Sequence, residues 1–333
     1  MAGYLYEGTD IKAQMQRQAS AFDEIIKSYG SISIVTHINP DGDTIGTALA
    51  LSDILRAGGY RVEVCCADKN LPRSLDFLVG FSRIKERPDY KNSLVISCDC
   101  ATVSRCGFDL DGRAVVNIDH HADNERYGTL NIIDPEAASC AEVAYELLKG
   151  RYDIGPEAAR AFYTALYSDS RGFSTASVNQ ATLRRASELA ALGAEPGYAA
   201  RMFAGRRSLA SIRISAAAFG GLKLLMEGRF ALMVLGTDDM ARAGADYEDL
   251  EGIVEAGRDL VTVEVSALIV RMGAEIKVSL RSKGPDVSIV ARHFGGGGHP
   301  LAAGCKIEGC DEKEAARMLT GRVKELFEET ERK

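Results

Sequence analysis

The run Ser31–Leu51, SISIVTHINPDGDTIGTALAL, decides the fold. It opens with β-branched residues in a strand-like pattern and turns through Pro40, Asp41, Gly42 and Asp43. It then continues as TIGTALALSDILRAGG, with Ile45, Leu49, Leu51 and Leu55 at near-helical spacing and Gly58-Gly59 as a stop. A second strand-like run, RVEVCCA, follows from Arg61. Strand, helix, strand in that order is a βαβ unit, the building block of a parallel sheet. The turn also holds more chemistry than a turn needs. Asp43 can cap the helix, a task for one carboxylate, which leaves His37 and Asp41 without a structural reason.

Working outward, SLVISCD (93–99) and AVVNID (114–119) are short, apolar and rich in β-branched residues, as expected of strands covered on both faces. Helical patterns dominate from Ser139 to Leu192, in SCAEVAYELLKG, PEAARAFYTALYSD and NQATLRRASELAALG. Their starts carry Ser139, Pro156 and Asn179, which suit capping or first-turn positions. After the Gly/Pro-containing LGAEPGY, the stretch LASIRISAAAFGGLKLLMEG is expected to be a helical connector. From Arg229 the pattern restarts: RFALMVLG, LVTVEVSALIV and AEIKVSLRS read as strands, VSIVARHF and EKEAARMLTGRVKELFEET as helices. The expected class is α/β. A parallel-sheet domain spans residues 1–192, a helical connector 193–227, and a smaller α/β domain 228–333.

With 333 residues, 46% of them hydrophobic, the chain has ample apolar material for a soluble core. No stretch approaches a membrane span, and MAGYLYEGTDIKAQMQRQ lacks the basic region and apolar run of a secretion signal, so a cytoplasmic setting is expected. The eight cysteines show no paired CxxC spacing and are expected to be reduced, partly buried side chains. A net charge of −7 argues against coating duplex DNA, which takes many cationic phosphate contacts, and leaves room for a short anionic substrate in a local site.

The acidic residues and histidines fall where strands end. His37 closes the first strand, Asp99 ends SLVISCD, Asp119, His120 and His121 end the next, and Asp169 closes a helix pattern. In open α/β sheets ligands collect at the carboxyl ends of strands, so these residues can converge. His37, Asp41, Asp43, Asp99, His120 and Asp169 offer two imidazoles and four carboxylates, a set suited to Mn²⁺ or Mg²⁺, although imidazoles also admit zinc, cobalt or iron. Six side chains exceed what one catalytic ion with open positions uses. They suit two ions about 3.5–4 Å apart sharing a carboxylate, as in phosphoester hydrolysis. Taken singly, each Asp reads as a cap and each His as a hydrogen-bonded side chain. The conjunction, three of five histidines beside carboxylates at strand ends, favours a metal centre. Gly295, Gly296, Gly297 and Gly298, next to His299 and with Arg281 at the end of a strand, suggest a backbone nest that phosphate or ribose can approach closely.

THINPDGDTIGTALAL, SCDCA, NIDHH and YSDSRGF resemble, in order, the four motifs of the DHH phosphoesterase superfamily, and HFGGGGHPLAAG resembles the signature of the DHH-associated C-terminal domain. The resemblance covers nearly the whole chain, and in size and layout the chain is most similar to stand-alone oligoribonuclease/pAp phosphatases of the NrnA type. It implies that His37 and Asp41 hold a first ion, Asp43, His120 and Asp169 a second, and that Asp99 bridges them. It further implies that Asp119 orients an imidazole, that His121 faces the scissile phosphate, and that Arg281, Ser282 and His299 bind substrate phosphates across an interdomain cleft. The sequence departs from the family after Asp169, where Arg171 follows in SRGF; Arg171 either contacts substrate or pairs with a nearby carboxylate. Arg201, Arg206, Arg207 and Arg213 read as a solvated helix face.

The implied activity is hydrolysis of very short RNA to 5′-mononucleotides, and of pAp to AMP, by water activated by two divalent ions: Mn²⁺, with Mg²⁺ or Co²⁺ as alternatives. A stand-alone phosphodiesterase acting on c-di-AMP or pApA keeps the chemistry and changes the substrate. A catalytically silent nucleotide-binding protein would keep only the fold. A long-strand exonuclease of the RecJ type ranks lower, because the chain lacks Trp and has an acidic balance. A homodimer follows from family analogy alone.

Overall fold

Ile32, Ser33, Ile34 and Val35 are buried because the strand they form has a neighbour on either side. In the computed structural model, β1 (Ser31–Val35) pairs in parallel with β2 (Arg61–Cys65) and with β3 (Leu94–Cys98). Beyond β3 lie β4 (Val115–Asp119) and β5 (Leu130–Ile133), so the five-stranded parallel sheet has the order β2-β1-β3-β4-β5. The structure describes residues 4–331; residues 1–3, where the stretch read for a leader begins, lie outside them. Among the described residues no helix is long and apolar enough to cross a membrane.

The first unit ends at Arg206. One face of its sheet packs under α1 (Tyr4–Lys27), α2 (Gly42–Ala57), α3 (Cys140–Leu148), α4 (Pro156–Asp169) and α5 (Gln180–Ala191), in a core that includes Phe22, Ile34, Leu51, Ile96 and Phe162. A smaller cluster around Val35, Cys65, Val95, Cys106 and Val115 covers the other face. The strands anticipated from sequence are all present. Two elements were not anticipated. α1 buries Ala19, Phe22 and Ile26 near its C-terminal end, so its apolar periodicity is short, and β5 has only four residues. The Gly/Pro-containing LGAEPGY leads into α6 (Pro196–Ala204), where Pro196 occupies the first turn, a position that needs no amide donor.

The second unit, Arg207–Lys333, has a six-stranded mixed sheet in the order β10-β11-β9-β8-β7-β6. Its elements are α7 (Leu209–Gly220), β6 (Lys223–Leu225), β7 (Phe230–Leu235), α8 (Thr237–Ala243), α9 (Ile253–Arg258), β8 (Val265–Met272) and β9 (Glu275–Ser282). They continue with α10 (Val287–His293), β10 (Gly297–His299), β11 (Ala302–Ile307) and α11 (Glu312–Glu331). Three expectations change here. LASIRISAAAFGGLKLLMEG is not one helix: it breaks at Gly220-Gly221, and Lys223–Leu225 pairs with β7. LVTVEVSALIV becomes strand only at Val265, and Val261 is 97% exposed. The glycine run is only partly loop, since Gly297–His299 forms β10 against β11. All eight cysteines are free, as expected, and seven are buried.

The contact between α2 and α4 is the closest helix pair in the first unit's core. A Cβ on Gly46 would stand 2.7 Å from the Ala161 carbonyl oxygen and 2.9 Å from Ala165 Cβ, inside any real contact distance. Gly46→Ala therefore overpacks a backbone-to-backbone approach and is expected to cost about 1–3 kcal/mol, seen as a lower urea midpoint at unchanged slope. An unchanged midpoint would show that the helices separate without cost.

Candidate metal centre

Adjacent parallel strands end at one edge of a sheet, and β1, β3 and β4 are consecutive there, so their C-terminal residues meet. His37 Nε2 lies 3.3 Å from Asp99 Oδ2 and 3.6 Å from Asp41 Oδ1. His120 Nε2 lies 3.4 Å from Asp99 Oδ1, 3.6 Å from Asp169 Oδ2 and 3.9 Å from Asp43 Oδ2. Three groups result, His37–Asp41–Asp99, Asp43–His120–Asp169 and Asp99–Asp119–His120–His121, each with donor atoms within 4.8 Å of one another, and Asp99 reaches the imidazoles of both His37 and His120.

Each side chain is held by local structure. Asp41, not Asp43, is the N-cap of α2: its Oδ1 accepts the amides of Asp43 at 3.0 Å and Thr44 at 3.1 Å. Asp43 is freed from capping and buried. Its carboxylate accepts the amides of Cys140 at 2.6 Å and Ala141 at 3.1 Å, at the start of α3, where the helix end favours negative charge. The Thr44 hydroxyl donates to the Cys98 carbonyl at 2.8 Å, tying the turn to the end of β3. Gly42 brings α4 in: a Cβ there would lie 2.4 Å from Ser168 Oγ, the neighbour of Asp169.

The imidazoles are oriented from behind. His37 Nδ1–H donates to the Ile38 carbonyl at 2.9 Å, and His120 Nδ1–H to the Ala137 carbonyl at 3.3 Å, so both Nε2 atoms face the carboxylates. His121 differs. Its Nδ1 contacts Asp119 Oδ1 at 2.8 Å, which leaves Nε2 on a side chain 40% exposed. Asp119 is fully buried, and its Oδ1 also accepts the amides of His120 and His121, at 2.7 and 3.2 Å, while Oδ2 accepts Asn124 Nδ2 at 2.5 Å.

Asp99 sits at φ 60°, a left-handed conformation that Asp tolerates better than most residues. Its Oδ1 is buried without a hydrogen-bond partner, a costly state unless a cation stands against it. That orphan oxygen, facing an O/N donor set, fits divalent ions. Charge tells the same story. Burial disfavours the charged form of His37, yet hydrogen bonds that its Nε2–H donates to Asp41 and Asp99 outweigh it and push His37 up to about 10. His120 is likewise pushed up to about 10 against burial, by the carboxylates of Asp99, Asp43 and Asp169. Burial, and then the charges of Asp99 and Asp41 against the pull of His120, bring Asp169 up to about 6. Protons hold this cluster of carboxylates together, and metal ligation displaces such protons.

Of the remaining anticipated residues, Arg171 is exposed beside Asp169 with no ion pair among the described residues. In the second unit, Arg281, Ala302 and His299 are in register across β9, β11 and β10, so Arg281 and His299 share a face. Arg281 Nε donates to Glu255 Oε1 at 2.7 Å, and Ser282 is buried with its Oγ accepting the Gly284 amide at 3.0 Å. Sequence reasoning missed Thr44, Asn124 and the carbonyls of Ile38 and Ala137. It also missed Arg105, whose Nη2 is 3.2 Å from His37 Nδ1. Only Thr44, inside the DGDT turn, stood where a motif could have drawn attention to it.

Comparison with known proteins places this geometry. The model described as "DHH family, N-terminal domain" matches residues 31–168, and that of the DHHA1 domain matches residues 228–329. A bifunctional oligoribonuclease and PAP phosphatase NrnA from Thermus thermophilus is 31% identical over 321 residues, covering 91% of this chain and 92% of that protein. Its Bacillus subtilis counterpart is 28% identical over 312 residues, covering 91% of this chain and 96% of that protein. The crystal structure of an exopolyphosphatase-related protein from Bacteroides fragilis superposes with a TM-score of 0.85 at 25% identity, covering 93% of this chain and 98% of that one.

Asn keeps the left-handed backbone of Asp99 while removing its charge. Asp99→Asn is therefore expected to stay folded by circular dichroism and to lose bound divalent ions in elemental analysis, whereas His121→Ala keeps them. Full metal content in the first variant would remove Asp99 from the centre. Asp119→Asn acts through His121 and is expected to lower turnover about 10–100-fold, the usual cost of losing such an orienting partner; turnover equal to wild type would show that His121 needs no orientation.

Proposed function

The chain belongs to the DHH family, with a DHHA1 domain, and from that premise we propose that it hydrolyses very short RNA to 5′-mononucleotides and converts pAp to AMP. The observation that carries this reading is Asp99, which belongs to the His37–Asp41–Asp99 group and whose Oδ1, without a hydrogen-bond partner, also lies 3.4 Å from His120 Nε2 of the Asp43–His120–Asp169 group. Relatives spanning nearly the same length, named for both activities, support the choice of substrate. In this proposal His37, Asp41 and Asp99 hold one ion, and Asp43, His120 and Asp169, with Asp99 again, a second. Mn²⁺, with Mg²⁺ or Co²⁺ as alternatives, supplies neutralisation of phosphoryl charge and a lowered pKa for water when bound.

The chain's own residues do the rest. Ile38 and Ala137 carbonyls hold Nδ1–H of His37 and His120, so that the proton given up to a bound ion is the one on Nε2. His121, steered by Asp119 through Nδ1, offers Nε2 to an oxygen of the scissile phosphate. Asp119 raises the basicity of that imidazole through the same hydrogen bond. Arg171, Arg281, Ser282, Gly295, Gly296, Gly297, Gly298 and His299 hold the remaining phosphates and ribose. No protein nucleophile is needed. The proposal also takes in a cytoplasmic setting, exclusion of duplex DNA and a homodimer.

With a net charge of −7, nucleotides beyond the anchored few add phosphate repulsion and few favourable contacts. A panel of pAp, RNA of two to five and of about twenty nucleotides, pApA and c-di-AMP, run with Mn²⁺, is expected to give the highest kcat/KM on the two- to five-nucleotide RNA. His299→Ala and Arg281→Ala should raise KM on those substrates. Preference for the long strand would overturn the reading in favour of a RecJ-like exonuclease, and preference for c-di-AMP would overturn it in favour of a cyclic-dinucleotide phosphodiesterase.

A further inference from the structure

The sheet of the second unit has two faces with different fates. Ile276, Val278 and Leu280 of β9 and Ala303, Cys305 and Ile307 of β11 pack into one core. The alternate residues form the opposite face in matched rungs: Lys277 beside Lys306, Ser279 beside Gly304 and Gly297, and Arg281 beside Ala302 and His299. The phosphate- and ribose-holding roles proposed above fall, on this face, on Arg281 and His299 of the last rung and on the glycine run; none falls on Lys277, Ser279 or Lys306. Lys277, Lys306, Ser279 and Gly304 of the first two rungs line a cavity of about 710 Å³ together with Tyr247, Phe294, Gly295, Gly296 and Glu308.

The chemistry of this cavity is specific. Lys277 Nζ lies 4.1 Å from the centre of the Tyr247 ring, and among the described residues it has no carboxylate partner. Lys306 differs, being paired with Glu275 at 2.8 Å. Glu308 also lines the cavity and Glu275 is close enough to feel Lys277, so the site holds a single cation without a direct ion pair rather than part of a basic track. The floor at Gly304 and Ser279 carries little side-chain bulk and lets a planar group lie close to the backbone. Aromatic walls, one free cation and a flat floor are what a base and its phosphate require. From Lys277 to Arg281 is two rungs, about 13 Å at the rise of a strand.

We propose that the Tyr247–Lys277 cavity is a further nucleotide subsite, which takes the base and phosphodiester of a nucleotide lying beyond the one anchored at Arg281 and His299. The proposal rests on the nucleotide-hydrolase reading above and deepens it. A single nucleotide such as pAp, anchored at the last rung, has nothing left to reach the cavity. An RNA of three or more nucleotides does. The subsite thus sets discrimination between the two substrate classes.

The test uses the full-length protein and its variants Lys277→Glu, Tyr247→Ala and Lys277→Arg, the first two residues being partly exposed and remote from the cores. With Mn²⁺, the ratio of kcat/KM for a pentaribonucleotide to that for pAp is expected to fall about tenfold in Lys277→Glu and in Tyr247→Ala, as for loss of one stacked base, and to be kept in Lys277→Arg. An unchanged ratio, or an equal loss on both substrates, overturns the subsite. Binding of a fluorescent pentaribonucleotide to metal-depleted protein, followed by anisotropy, separates this idea from the proposed function. Wild-type protein that binds the pentamer more tightly than both variants yet hydrolyses neither substrate would overturn the proposed function and support the subsite. Equal binding by wild type and variants would overturn the subsite and leave the proposed function standing.

Discussion

A buried carboxylate, one of whose oxygens faces only imidazole nitrogens at 3.4 and 3.5 Å, governs the first unit. Asp99 is 4% exposed at the end of the central strand, and its Oδ1 has no hydrogen-bond partner. Around it lie buried Asp43, half-buried Asp169 and exposed Asp41, so negative charge is concentrated where water screens it only from one side. Only positive charge relieves this, from imidazolium or from bound cations. Strand order makes the arrangement unavoidable: β3 has β1 and β4 as neighbours, so residues that follow those strands, His37 and His120, flank Asp99.

The fourth carboxylate arrives by helix packing. Asp169 ends α4, and α4 can reach the sheet edge only because α2 presents glycine at both contacts, Gly46 against Ala161 and Gly42 against Ser168. The glycine of the DGD turn therefore has a packing role as definite as the roles of its two aspartates. One of those caps the helix, while the other is anchored on the amides that open α3. A site mounted on strand ends and helix termini in this way resists the small displacements that degrade a catalytic geometry.

The second unit applies a similar economy to its sheet. Alternation along β9 and β11 sends one set of side chains into the core and leaves the other set, polar or small, outward. Arg281 is not idle on that face, since Glu255 of α9 holds its guanidinium at 2.7 Å and so sets its direction. A residue positioned this way costs less conformational entropy when an anion engages it.

Much of this was legible in the chain itself. Strands buried on both faces announce themselves by composition, so β1 to β4 and the βαβ unit could be placed, and with them the strand ends that carry His37, Asp99, Asp119, His120 and His121. The amino-acid sequence determined the donor set, because residue type and order are local properties. Other features depend on partners distant in sequence. Which aspartate caps α2 depended on where α3 begins, nearly a hundred residues later. The pairing of β5 and β6, the conversion of half the glycine run into β10, and the contacts of Asn124 and Arg105 also needed neighbours supplied by the fold. Local periodicity encodes how a segment meets its own next turn. The tertiary structure alone decides which remote backbone groups are left to satisfy a buried charge, and at Asp99 Oδ1 none is.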